Sequence, residues 1–218
     1  MVNNLKQEIN LPDIIPLFPL NGVVMFPDTY LPLNIFEPRY LKMIDQVISN
    51  ENRLIGMIQP KNLNDSDHKC AFYEVGCAGK IIKFEETDDN RYLITLKGLS
   101  RFNLISEKIN VQEFREANIN WENFRKDLNK SVMSPNFTTL KTTLKKYFKS
   151  KNIKANMDVI DTLNDYNFVD QITMICPLAN EDKQLLLETS SISKRSKLLE
   201  TMLDSHVTEA NIYDIKKH

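Results

Sequence analysis

Cysteine, histidine and glycine are all scarce in this 218-residue chain, and each shortage removes a class of chemistry. Cys70, Cys77 and Cys176 include no CxxC pair, so a disulfide scaffold is excluded and reduced thiols in a cytoplasmic protein are expected. The three histidines, His68, His206 and His218, stand in no recognisable nucleophile context, so no catalytic residue is assigned. His68 with Cys70 and Cys77 has no standard zinc spacing and no nearby fourth ligand, so neither a metal nor a cofactor is expected. An excess of one charge is missing too. The formal net charge is −1, which argues against a binder that relies on many phosphate contacts. No apolar run approaches the roughly 18 residues of a membrane span, and MVNNLKQEIN lacks the apolar core of a signal peptide. Without a secretory route, the sequons at Asn129 and Asn136 are chance matches.

Glycine and proline divide what remains. All five glycines precede residue 99, and six of the nine prolines lie from Pro12 to Pro38. Turns and bulges use both residues, whereas helix interiors exclude them, so a mainly β first half (1–125) and a helical second half (126–218) are expected. Ile14–Phe18, Val23–Met25, Tyr30–Phe36 and Leu54–Gln59 read as short strands, with a helix launched at Pro38. Lys61–Lys69 reads as a polar loop. Lys80–Phe84 and Arg91–Leu96 read as a hairpin, Gly98 as a bulge or corner, and Arg101–Glu107 and Val111–Ile119 as further strands. Helical spacing recurs over Phe137–Lys149 and Asn167–Cys176, and after two expected caps at Asn180 and Ser193. The expected architecture is α+β, a small closed or half-closed barrel with an inserted helix, followed by four bundled helices.

Three blocks carry a more specific signal. Pro16–Leu20 reads PLFPL, Phe36–Tyr40 reads FEPRY, and Gly98–Phe102 reads GLSRF; Leu178–Leu199 follows as LANEDKQLLLETSSISKRSKLL. Together these resemble the N-terminal, substrate-binding domain of the Lon ATP-dependent protease family, in order and over most of the chain. The resemblance implies a PUA-like pseudo-barrel followed by a helical bundle. Full-length Lon adds an AAA+ motor and a Ser-Lys peptidase, neither of which fits in 218 residues. There is no GxxxxGK[ST]; Gly76–Lys80 is too short and is followed by Ile81. The expectation is therefore a non-enzymatic module that recognises unfolded or apolar polypeptide, with a protease or chaperone supplied in trans.

Met25, Phe26, Tyr30, Arg39 and Tyr40 are the candidate partner-binding residues. Met25-Phe26-Pro27 falls in a turn, where exposed Met and Phe would suit apolar peptides. The competing reading makes Phe26, Tyr30, Phe36 and Tyr40 core, Glu37 a helix N-terminal charge, and Arg39 a brace. Arg91, Arg101, Lys80, Lys83 and Lys97 are expected to form a solvated basic face. An RNA-binding barrel is the alternative function, weakened by the lone Trp121 and the absence of a stacking platform.

Overall fold

The computed structural model describes residues 11–61, 70–129, 136–162 and 166–215. Its β half contains β1 (Ile14–Pro19), β2 (Tyr30–Ile35), α1 (Pro38–Ser49), β3 (Leu54–Ile58), β4 (Val75–Glu86), β5 (Tyr92–Ile109) and β6 (Arg115–Asn120). A 3-10 helix, Glu122–Leu128, leads to α2 (Thr138–Ser150), α3 (Met157–Thr162), α4 (Phe168–Ile175), α5 (Asn180–Glu188) and α6 (Ile192–Ile215). That 3-10 helix straddles the expected boundary at residue 125.

The sheet order is β2-β5-β4-β3-β1-β6, and β6 also pairs with β5. Strands β1, β3, β4, β5 and β6 therefore close a ring, while β2 hangs on the first half of β5 as an edge. Only β1 and β3 run parallel, with Leu17 opposite Gly56. All five residues of β3 are buried because both of its faces are covered. Leu54 and Ile58 point into a cluster with Ile15, Leu17, Ala78, Phe102, Ala117, Ile119 and Trp121, which draws on every ring strand. Ile55 and Met57 point the other way, into a larger core with α1, Met25, Phe26 and Leu187. A third core lies among the helices, around Leu144, Tyr147, Phe168, Ile172, Leu186 and Leu199.

Several expectations need correction. Val23–Met25 is not a strand; after a turn at Asn21–Gly22 it runs as irregular chain whose apolar side chains pack inward. The last strand begins at Arg115, because Asn110 to Phe114 forms a turn held by the Asn110 side chain, which accepts from Gln112 and Phe114 N–H. Asn180 is the first residue of α5, with Ala179 in the cap position, and Ser193 lies inside α6. The four-helix reading missed α3, whose six residues are too few to display a period. Of the loop expected at Lys61–Lys69, positions 62–69 lie outside the described residues, as do His68 and His218.

Gly98 does more than turn a corner. A Cβ there would stand 1.9 Å from the Phe26 carbonyl oxygen. The missing side chain lets the 26–29 turn lie directly on β5, where Asp28 N–H donates to Gly98 O at 2.9 Å and Gly98 N–H donates to Thr29 O at 2.9 Å. Thr29 Oγ1 closes the turn by donating to Phe26 O at 2.6 Å. Gly98→Ala is expected to destabilise the fold by roughly 3 kcal/mol, since backbone rather than a movable side chain fills the space. Urea denaturation followed by circular dichroism measures this, and an unshifted midpoint would contradict the packing described.

Candidate functional site

The helices meet the ring along a polar seam, and its centre is Arg101. This residue is 3% exposed although it sits on a strand between two other buried residues, Ser100 and Phe102. Phe102 fills the ring interior, while Arg101 faces the 3-10 helix and α5. Its Nε and Nη2 donate to the two carboxylate oxygens of Asp127, each at 2.8 Å, and its backbone N–H donates to the same group at 3.1 Å. Nη1 donates to Leu187 O at 2.8 Å and Thr189 O at 3.0 Å. The guanidinium also stacks on Phe124, 4.5 Å from the ring centroid.

Arg195 of α6 repeats the arrangement from the helical side. It donates to Asp170 through Nη1, to Leu186 O at 3.0 Å and to Thr189 O at 2.7 Å, and stacks 4.7 Å above Phe26. A helix leaves its last carbonyls without internal partners, and α5 has no basic residue in its own last turn. Two arginines from elsewhere in the chain supply those donors. Burial pushes the Asp170 carboxyl above the usual carboxylate range, a shift that Arg195 only partly offsets.

Further along α5, Lys183 Nζ donates to Gly22 O at 2.9 Å and Gln184 Nε2 donates to Val75 O at 3.0 Å. Gln59 Nε2 donates to Asn180 O at 3.1 Å, and the Asn180 amide donates to Asn21.

Beside this seam opens a cleft of ≈ 850 Å³, within the usual size range of ligand sites, about 300–1,000 Å³. Tyr30, Pro27 and Lys97 line it from the β half, and Tyr166, Gln171 and Ile192 from the helices, over a floor that includes both arginines and their carboxylates. Asn167 Nδ2 donates to Asp28 O at 3.0 Å and joins the two walls. Because the floor arginines are each engaged by a carboxylate and by carbonyls, the groups left for a ligand are Lys97 and Lys126, neutral hydrogen-bonding side chains, the phenols and the short apolar wall. Nucleophilic chemistry has little footing nearby. Burial pushes the Cys77 thiol well above its ordinary value and Cys176 up to about 12, so neither is a thiolate at neutral pH. Among the described residues no group of three metal-ligating side chains converges.

The candidate residues separate clearly. Tyr30 is 57% exposed and lines the cleft. Met25 and Phe26 are 1% and 0% exposed, which corrects the expectation of an apolar turn offered to solvent: Gly98 draws the turn inward. Tyr40 is buried against Phe18, ring centroids 4.5 Å apart, and Arg39 donates to Glu37 at 2.7 Å and lies over Tyr40. Phe36, by contrast, is largely exposed. The expected basic face loses Arg101 to the interior, whereas Lys80 and Lys83 remain exposed. Sequence reasoning missed Asp127, Asp170, Tyr166 and Arg195. The signal for Arg195 was present, since it stands in the closing block, but its partner lies 25 residues away.

The family model for the ATP-dependent protease La (LON) substrate-binding domain matches residues 14–205. The Lon protease of Syntrophus aciditrophicus (strain SB) is 25% identical over 216 residues, covering 95% of this chain and 27% of that protein. The Lon protease of Buchnera aphidicola subsp. Acyrthosiphon pisum (strain APS) is 23% identical over 200 residues, 88% of this chain and 25% of that protein. The chain thus spans about a quarter of these curated relatives. Among solved structures, the N-terminal domain of Mycobacterium avium complex Lon protease superposes with a TM-score of 0.61 at 15% identity, covering 88% of this chain and 99% of that one. A Lon N-terminal domain protein from Xanthomonas campestris gives 0.59 at 19% identity, with coverage of 85% and 96%. Both share the fold.

Removing Asp127 strands a buried guanidinium, so Asp127→Ala is expected to cost about 3–5 kcal/mol in urea unfolding. Glu122→Ala, which breaks an exposed ion pair with Arg125 one turn earlier, should leave the midpoint nearly unchanged. Equal effects from the two would contradict the central place given to Arg101.

Proposed function

This chain belongs to the ATP-dependent protease La (LON) substrate-binding domain family, and from that premise we propose that it is a non-enzymatic polypeptide-binding module of the cytoplasm. Its ligands are unfolded or apolar segments of other proteins, which it holds for a protease or chaperone acting in trans. We read the closed ring as a PUA-like pseudo-barrel and α2 to α6 as an appended bundle, with the division near residue 125.

The observation that carries this reading is the composition of the seam cleft. Tyr30 and Tyr166 offer amphipathic rings, Pro27 and Ile192 offer apolar surface, and Ser190, Ser191, Asn129 and Gln171 offer neutral hydrogen-bonding groups. Phenols and amides of this kind bind backbone and side chains with little demand on sequence, which suits a protein that must accept many clients. Among the earlier candidates Tyr30 is retained as a binding residue. Met25, Phe26, Arg39 and Tyr40 are assigned to the fold that positions it.

A photoreactive side chain placed at position 166 is expected to crosslink to a reduced, alkylated and therefore unfolded model protein. The same group at Val111, which is fully exposed on a remote turn, should not. Tyr166→Ala together with Ile192→Ser should weaken binding by about tenfold, read by fluorescence anisotropy. Indiscriminate crosslinking at both positions, or the absence of binding, would remove the cleft as the site.

A further inference from the structure

The charged residues that line the seam cleft are unequally matched. Its three carboxylates are all engaged, Asp127 by Arg101, Asp170 by Arg195 and Asp28 by Lys97 at 3.7 Å. A fourth cation, Lys126, has no such partner: among the described residues its side chain makes no ion pair and no hydrogen bond. Each floor guanidinium is matched by a carboxylate and contributes little net charge. Lys126 therefore sets the sign of the field that a ligand meets.

The neutral groups can follow that sign. The hydroxyls of Tyr30, Tyr166, Ser190 and Ser191 also make no hydrogen bond among the described residues. A hydroxyl donates or accepts as its neighbour requires, whereas an ammonium only donates. The charged acceptors of the cleft are thus spent while its charged donors are not, and the group that fits such a remainder is an anion. Lys126 is also held in place. It is exposed at the rim, but the next residue, Asp127, is fixed by three bonds from Arg101. The ammonium hangs from an anchored stretch of backbone, so little further order has to be imposed there when a ligand binds.

We propose that the cleft prefers apolar segments that carry an acidic residue, whose side-chain carboxylate pairs with Lys126 and accepts from hydroxyls of the same cleft. This deepens the polypeptide-binding reading and rests on it. The tyrosines, Pro27 and Ile192 take the apolar residues, and Lys126 adds a charge preference to an otherwise undemanding site. The floor is closed by the two arginine–carboxylate pairs, and the free ammonium stands at the rim. A segment crossing the cleft presents a side chain to Lys126 without having to end there, so the carboxylate is that of an internal Asp or Glu rather than a chain terminus. Asp28 does not cancel the preference, because Lys97 faces it.

The test uses the full chain and short fluorescent apolar peptides, blocked at both ends, with a central Glu, Gln or Lys. The Glu peptide should bind about fivefold more tightly than the Gln peptide, and the Lys peptide more weakly than either, with the margins shrinking in high salt. Lys126→Gln should abolish the Glu margin, and Lys126→Glu should invert it in favour of the Lys peptide. Both variants should keep the urea midpoint, since among the described residues the Lys126 side chain bonds nothing in the fold. Lys146→Glu, a charge reversal on the exposed face of α2, should leave the margin as it was. Equal affinity for the three peptides, with binding that still depends on Tyr166, would overturn the acidic preference and leave the cleft as a polypeptide site. A Glu margin that survives Lys126→Gln, or that falls equally with Lys146→Glu, would overturn the assignment to Lys126. A gain seen only when the Gln peptide carries a free terminal carboxylate would overturn the internal residue in favour of a chain end, and failure of every peptide to bind would remove both readings.

Discussion

The buried guanidinium of Arg101 holds the two halves of this molecule in one geometry. Burying such a cation costs several kcal/mol unless charge and hydrogen bonds are returned to it, and here four bonds from the guanidinium do so. The partners belong to two separate elements: Asp127 on the 3-10 helix, and the carbonyls of Leu187 and Thr189 at the end of α5. None can move alone without stranding a charge. Arg195 with Asp170 doubles the constraint from α6. The walls of the cleft are thus fixed relative to one another, and a rigid cleft spends less free energy on ordering itself when a ligand enters.

The motifs that mark the family turn out to build this seam rather than to display a ligand-binding surface. Gly98 admits the 26–29 turn, Arg101 ties β5 to the helices, and Phe102 fills the ring so closely that a Cβ on Gly76 would meet it at 2.4 Å. Tyr40 anchors α1 on Phe18. Lys183, Gln184 and Arg195 of the closing block bind the turn at Gly22, the start of β4, and the carbonyls of α5.

Much of the frame was legible in the residues. Glycine and proline stop where the helices begin, Pro38 marks the first turn of α1, and the strands at Ile14, Tyr30, Leu54 and Arg91 appear within a few residues of where they are read. The failures share a cause. Whether Met25 and Phe26 face water depends on a missing side chain at Gly98, more than 70 residues away in sequence. Arg101 looked like a surface residue because charge usually means solvent. It is buried because both faces of β5 are covered at that point, and the group that compensates it is 26 residues downstream. Periodicity reports one element at a time. The cleft is made by five stretches of chain that periodicity treats separately, so Tyr30 could be suspected but Tyr166 could not.

The most direct measurement is hydrogen–deuterium exchange on the protein alone and on the protein saturated with an unfolded, alkylated polypeptide. The account predicts added protection in peptides covering 27–30, 126–129, 166–171 and 190–195, with the Asn110–Phe114 turn and the helical core around Leu144 unchanged. Protection confined to the remote turn, or no protection at the seam when binding is saturated, would contradict it.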